Sequence, residues 1–400
     1  MPVRFAHMSD CHLGSWSSHP EMREKPLEAF EQAISVCIDE RVDFIIIAGD
    51  LLDTSLPGVD VLKRAAAAFR RCKEAGMPVY MVAGSHDYSP TGKTMLSVFE
   101  EAGLITNVAK FDDDGEKVTL KCTKDEKTGV SLAGVFGRKG SLEVEMFQRL
   151  SVPETDGTKI FVFHCGIDEH VSLGNAVPVS LLPDGFQYYA TGHIHIQRVY
   201  DIGGKKIAFP GPLFPTSFDE LEKYSSGFYI VTLDGGITID RKSVQMFDVV
   251  VVEKNVEGMS PQEVESALLG EVESRSVAGC VLLVKVHGVL SSGRPSDIDF
   301  RALQARAETL GALAVKKNIS KLSSREMEEV AMDTGANIED LEGKIIAEHA
   351  DKIRLGGKDA VSLAAGLMNS LKDEKGEDET NTGFEDKIKA NAKTLMGLGE

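Results

Sequence analysis

Hydrophobic and polar positions follow two periods in the first 110 residues. Val3–Met8, Phe44–Ala48 and Val79–Val82 are short aliphatic runs, and between them the stretches Glu21–Glu40 and Val59–Glu74 place apolar residues at helical spacing. Strand, helix, strand, helix, strand predicts parallel strands covered by helices. From Val118 the strands come closer together: Val118–Cys122, Val130–Val135, Lys159–His164, Tyr188–Thr191, Lys206–Phe209, Phe228–Leu233 and Ile237–Val244. Gly, Pro or Asp turns separate most of them, which predicts a second sheet added by hairpins. Two sheets flanked by helices make an α/β fold. A smaller α+β unit is expected from Phe247. It holds Val249–Val252, a helix opened by the capping-box sequence Ser260-Pro261-Gln262-Glu263, Val281–Val286, and a helix over Phe300–Leu310. Beyond about 320 only helices are predicted: Ile338–Ala350 capped by Asn337, Asp359–Leu371, and Phe384–Leu395, with a polar, disordered stretch at 372–382.

Composition adds limits to this outline. A chain of 400 residues, 42% hydrophobic, is long enough for two or three domains, and disorder is excluded as its dominant state. A net charge of −18 argues against coating nucleic acid by charge alone. Residues 320–400 hold 18 acidic against 11 basic groups, so the tail reads as a separate acidic unit. The six cysteines form no C-x-x-C pair, which fits neither a disulfide scaffold nor a thiolate zinc site. MPVRFAHMSD has no apolar leader core, and the longest apolar runs are too short to span a bilayer. The expectation is a soluble, cytoplasmic protein with no membrane association.

Five of the ten histidines follow apolar strand-like runs, where α/β folds build their sites. Asp10-Cys11-His12 follows the first strand, Gly49-Asp50 the second and Gly84-Ser85-His86-Asp87 the third. His164 ends Ile160–Phe163, and Gly192-His193-Ile194-His195 follows Tyr188–Thr191. Imidazole with carboxylate suits Mn²⁺, Fe²⁺ or Zn²⁺. Two such ions about 3.5–4 Å apart, sharing a carboxylate, activate water and neutralise a phosphoryl group during in-line displacement. Any one of these pieces arises readily by chance. All five in order, each at a strand end, point to a two-metal hydrolase.

D-x-H, G-D, G-S-H-D, H and G-H-x-H resemble the calcineurin-like metallophosphoesterases. SDCHLGSW, MREKPLEAFEQAI, FIIIAGDLLDTSLPG, VYMVAGSHD, YYATGHIHIQRV and PGPLFPTSFDE narrow the resemblance to the SbcD-type nuclease subunits of double-strand-break repair complexes, over roughly residues 1–320. The resemblance implies a four-layer αββα sandwich with a small α+β capping domain and a helical tail. It divides the chain into a nuclease domain (1–245), a capping domain that shapes the DNA site (247–320), a helical ATPase-docking element (324–372), and a flexible acidic linker with a terminal helix (373–400). It implies two Mn²⁺ per chain. Asp10, His12 and His195 hold one, Asp50 bridges, and His164 and His193 hold the second. His86 contacts the phosphate or protonates the leaving oxygen, and Asp87 orients His86. The implied activity is exonuclease on duplex ends and endonuclease on single strands, at the nucleoid. Implied partners are DNA, an SMC-like ABC ATPase docked through apolar Ile338, Leu341, Ile345, Ile346 and Ile353, and a second copy through helices in about 59–102. A small-ester phosphodiesterase, or a non-catalytic DNA-tethering clamp, are the competing readings.

Two departures bear on the site. Ser85 stands where the wider family has Asn as a second-metal ligand, and its shorter hydroxyl predicts a looser second site or an intervening water. Asp53 stands where some members have a second catalytic His; it either holds the activated water's proton or caps its loop. Trp16 either stacks on a splayed base or packs its loop, and Arg138-Lys139 either contact phosphate or are simply solvated. The charge returns here with a different meaning: two divalent ions outweigh the ligand carboxylates Asp10 and Asp50, so a locus that meets phosphate is expected to be positive inside an acidic protein.

Overall fold

A computed structural model describes residues 2–89, 93–137, 142–153, 156–167, 176–223, 226–325, 360–372 and 381–396. One sheet has the strand order Ile237–Ser243, Gly227–Leu233, Val3–Met8, Phe44–Ala48, Val79–Val82, Thr106–Asn107. Its last four strands are parallel, and the Gly227–Ser243 hairpin joins them antiparallel. The other sheet runs Gln197–Ile202, Lys205–Pro210, Tyr188–Ala190, Lys159–Val162, Ser131–Gly134, Thr123–Lys124. Here the hairpin expectation is corrected. The four central strands are parallel, and only the two edges are antiparallel. The stretches between Gly134 and Lys159 and between Val162 and Tyr188 are long enough for the crossovers that parallel pairing requires.

Strand side chains alternate between faces, and that alternation builds the layers. Phe5, Phe44, Ile46, Tyr80 and Val82 of the first sheet share one core with Leu132, Ile160, Val162, Tyr188 and Ala190 of the second, so the sheets pack face to face. Phe5 stacks on Phe44 with centroids 5.1 Å apart and meets Tyr188 edge-on. Each side chain so buried stabilises by roughly 1.5–3 kcal/mol. The intervening residues Ala6, Met8, Ile45, Ile47 and Met81 face helices Lys25–Asp39, Val59–Glu74 and Leu96–Glu101. Phe30, Phe69 and Phe99 interlock edge-on across those helices. On the far side, Phe161, Phe163, Tyr189 and Phe209 pack with Met146, Phe147 and Phe186. The α/β, four-layer αββα arrangement follows.

The helix expected from Glu21 begins at Lys25, because Pro26 suits a first helical turn and residues 20–24 form turns instead. Asp248–Asn255, Cys280–Leu290 and Ala314–Ser324 form a three-stranded sheet, accompanied by helices Pro261–Glu273 and Phe300–Thr309. The predicted capping box is present: Glu263 accepts from the Ser260 amide at 2.8 Å and the Ser260 hydroxyl accepts from the Glu263 amide at 3.4 Å. Strand Ala314–Ser324 was not anticipated, since its lysines and serines mask any apolar alternation. Contacts divide the chain into two compact units. One comprises Met1–Lys254, Glu265–Val286 and Asp299–Ser320; the other comprises Asn255–Val264, His287–Ile298 and Lys321–Glu400. The first unit therefore takes in much of 247–320 along with 1–245. In the second, Ala360–Lys372 and Asn381–Met396 are helices, with Leu395 closing on Gly366. The helix expected at Ile338–Ala350, with Ile353 beyond it, and residues 373–380 lie outside the described residues. Among the described residues no helix is long and apolar enough to cross a membrane.

Candidate metal centre

Parallel strands send their C-terminal ends to one rim, and the ligand-type residues sit on the first turns beyond it. The loops after Met8 and Ala48 stay zipped together: Asp10 N–H donates to Gly49 C=O, His12 N–H to Asp50 C=O and Leu13 N–H to Leu51 C=O, at 2.9–3.1 Å. Asp10, His12, Asp50, His193 and His195 all adopt positive φ, between 43° and 80°. Such backbone costs of order 1–3 kcal/mol per residue and persists where the surroundings over-determine it. Glycine is required beside them at two places. A Cβ on Gly49 would lie 2.2 Å from His164 Nδ1, and one on Gly84 would lie 2.3 Å from Asp50.

Two groups of donors result. Asp10, His12 and His195 bring one ligand atom each within 4.8 Å of the others, and so do Asp50, His164 and His193; Asp50 also groups with His12 and His86. His195 Nε2 lies 3.4 Å from Asp10 Oδ1 and 3.1 Å from His12 Nε2. His164 Nε2 lies 3.0 Å from Asp50 Oδ2 and 4.0 Å from Asp10 Oδ1. The carboxylates are aimed by backbone: His193 N–H donates to Asp10 at 3.0 Å, and His86 N–H to Asp50 at 2.8 Å. Both His rings facing the carboxylates have their outer nitrogen fixed. His164 Nδ1 lies 2.7 Å from Ala48 C=O, and His195 Nδ1 lies 2.8 Å from Glu220 Oε1. Outer partners of this kind select the tautomer that presents Nε2 inward.

Electrostatics sharpen the contrast with an ordinary core. Burial opposes charge on His164 and His195, but the Asp50 and Asp10 carboxylates outweigh it, lifting His164 to about 9 and His195 to about 11. Asp10 and Asp50 fall well below the usual carboxylate range: burial pushes them up, and the neighbouring imidazoliums, His195 and His164, pull them further down. His193 has an open edge, yet lost hydration and the nearby His164 charge lower it to about 4. His7 is a counter-example from the core: burial lowers it to about 3, and it sits neutral against the Tyr188 hydroxyl at 2.9 Å.

The remaining site residues divide. His86 is exposed at the mouth, its Nδ1 2.8 Å from Asp53 C=O. The expectation that Asp87 orients His86 is corrected. Asp87 is fully buried, and its carboxylate accepts from the Gly84, Leu51 and Leu52 amides, tying the loop after Val82 to the loop after Ala48. Burial and the Asp50 charge raise it to about 6. Asp53 instead orients His86, through its carbonyl, while its carboxylate stands 3.4 Å from His12 Nδ1. Ser85 Oγ reaches Asp50 Oδ2 only at 3.5 Å. Trp16 packs its loop: it is 8% exposed, and its indole N–H donates to Pro215 C=O at 2.9 Å. Arg138-Lys139 lie outside the described residues. Glu220 was missed. It lies in PGPLFPTSFDE, and only the fold brings a carboxylate 25 residues downstream behind His195. With Asp53, Asp87 and Glu220 added to Asp10 and Asp50, the expected positive excess becomes near balance once two divalent ions are present.

The donors fit such ions. His164 Nε2 is buried and has no hydrogen-bond partner, although it lies 3.0 Å from the Asp50 carboxylate. A buried polar atom left in this way costs roughly 1–3 kcal/mol, which a cation would relieve. The family described as Calcineurin-like phosphoesterase matches residues 3–197, a span containing every donor of both groups. Residues 3–197 are a calcineurin-like phosphoesterase domain. The phosphoesterase domain makes the protein a metal-dependent hydrolase. Over 301 residues the chain is 26% identical to the DNA double-strand break repair protein Mre11 of Archaeoglobus fulgidus, covering 69% of this chain and 67% of that one. It is 29% identical over 269 residues to the Mre11 protein of Sulfurisphaera tokodaii (64% and 67% covered) and 29% over 278 residues to that of Sulfolobus acidocaldarius (66% and 70%).

Proposed function

We propose that this protein is a Mn²⁺-dependent DNA nuclease of double-strand-break repair, cutting duplex ends as an exonuclease and single strands as an endonuclease. The observation that carries the reading is the pair of carboxylate-and-imidazole groups on one strand-end rim, with His86 exposed at its mouth. Asp10, His12 and His195 would hold one ion, His164 and His193 the other, with Asp50 between them. Bound there, the ions would supply an activated water and neutralise the phosphate in an in-line displacement. The chain's own residues do the rest. The His193 and His86 amides fix the two carboxylates, and Ala48 and Glu220 fix the two inward-facing rings. Asp53 C=O holds His86 Nδ1, leaving Nε2 as the atom that meets the phosphate or hands a proton to the leaving oxygen.

The reading extends along the chain: 1–245 as nuclease, 247–320 as the module that shapes the DNA site, 324–372 as the segment that docks an SMC-like ABC ATPase, and 373–400 as an acidic linker with a terminal helix, in a protein working at the nucleoid. Dimerisation through 59–102 is supported by Val59 and Val98, 80% and 54% exposed on their helices. The names of the archaeal relatives support DNA as substrate. The test incubates the Mn²⁺-loaded protein with end-labelled duplex DNA, single-stranded DNA and a chromogenic phosphodiester, beside His86→Ala. Cleavage of both DNAs, lost in His86→Ala by about 10²–10⁴-fold, is expected; hydrolysis of the small ester alone rejects the nuclease.

A further inference from the structure

Behind His195 stands a short turn, Pro215-Thr216-Ser217, whose two peptide groups are each bonded on both sides. Their N–H groups face Glu220 Oε2, Thr216 N at 2.7 Å and Ser217 N at 3.4 Å, while Glu220 Oε1 holds His195 Nδ1 at 2.8 Å. Their C=O groups point the other way, to partners distant in sequence. Trp16 Nε1 donates to Pro215 C=O at 2.9 Å, and Lys316 Nζ donates to Thr216 C=O at 2.6 Å. The two outer partners also hold each other: Lys316 Nζ sits 4.2 Å from the Trp16 ring centroid. Trp16 lies four residues beyond His12, in left-handed backbone at φ 60°. Lys316 is half-buried on strand Ala314–Ser324, in the same compact unit as the turn.

A bonded carbonyl polarises its peptide and strengthens the hydrogen bond made by the same peptide's N–H. A positive donor does so most, and it also fixes where that peptide stands. We propose that Lys316 is a positioning residue for the metal centre: with Trp16 it locks the Pro215–Ser217 turn, the turn locks Glu220, and Glu220 sets the His195 ring with Nε2 inward. A strand of the 247–320 segment thereby reaches one side of the centre and not the other, since His164 is held by the Ala48 carbonyl. The inference rests on His195 being a metal ligand.

The test has two readouts. In the ion-free protein carrying ¹⁵N-histidine, Lys316→Met shifts the His195 ring signals, Lys316→Arg restores them, and Lys317→Met, on the same strand but over Phe300, leaves them in place. In Mn²⁺ titrations, Lys316→Met weakens one of two sites by about threefold to tenfold, short of the roughly 10–100-fold expected for an outer partner in direct contact with the ligand. Trp16→Phe keeps an aromatic ring but loses the indole N–H donor to Pro215, and shifts the same signals; it stands in should Lys316→Met not fold. His195 signals unmoved in these variants, or moved equally by Lys317→Met, overturn the proposal. A wild-type protein that binds no Mn²⁺ fails the metal reading instead, and the ion-free spectra still decide the role of Lys316.

Discussion

On one side of the candidate centre His195 leans on a carboxylate, Glu220, at 2.8 Å; on the other His164 leans on a main-chain carbonyl, Ala48, at 2.7 Å. The first support is a side chain on a turn held from two distant segments. The second is the end of a central strand, which no substitution removes. The supports also differ in charge. Glu220 sets an anion behind His195, where His164 has only a neutral carbonyl. His164 is fully enclosed, and its neighbour Ser85 reaches Asp50 only at 3.5 Å. The His195 side is therefore adjustable from outside the centre, and the His164 side is rigid but short of a strong neutral ligand.

The largest effect is expected where the two sides meet. Asp50→Asn removes the charge that faces His164 and groups with His12 and His86. It should abolish phosphodiester cleavage and lower bound Mn²⁺ below two per chain; elemental analysis of the dialysed variant checks this, and an unchanged metal count breaks the picture of a shared carboxylate. Next comes Glu220→Gln, which should weaken Mn²⁺ on the His195 side about 10–100-fold and leave the other site alone. Equal weakening of both sites in a calorimetric titration would show that the sides are not separable.

Protons give the third effect. In the ion-free protein His164 and His195 carry protons at neutral pH, so binding must expel them, and affinity rises with pH. The slope should approach about two decades per pH unit near pH 7.5 and fall to about one above pH 9, where His164 has already lost its proton and His195 has not. The ion-free fold responds with the opposite sign. Both pKa values are raised above the unfolded value, so their stabilisation is complete below about pH 6.5 and fades as pH climbs through 9 and then 11. Melting temperatures with and without Mn²⁺ across pH 6.5–9.5 should diverge; parallel curves contradict the pairing. The smallest effect is Ser85→Asn, whose amide oxygen reaches further than a hydroxyl. It should tighten the His164-side site by up to about tenfold, and an unchanged Mn²⁺ activation curve refutes it.

Much of the site was legible because its signal is local. Gly49-Asp50, Gly84-Ser85-His86 and Gly192-His193-Ile194-His195 each pair a ligand type with a glycine at a strand end, and the structure gathers them on one rim. The two compact units and the parallel centre of the second sheet were less legible, because hairpins and crossovers leave similar turn residues in the chain. Asp87 was misjudged because adjacency to His86 implied contact, whereas its side chain turns inward to three main-chain amides.

Which residues offer ligands to a divalent ion, and which strands they follow, is written in short segments of the chain, since strand period, glycine placement and donor chemistry are local properties. Tertiary structure alone decided which partner fixes each imidazole. Glu220 lies 25 residues from His195, Ala48 lies 116 from His164, and Lys316 lies 100 from Thr216. Hydrogen bonds over such separations depend on how layers pack, and no local pattern in the chain encodes them.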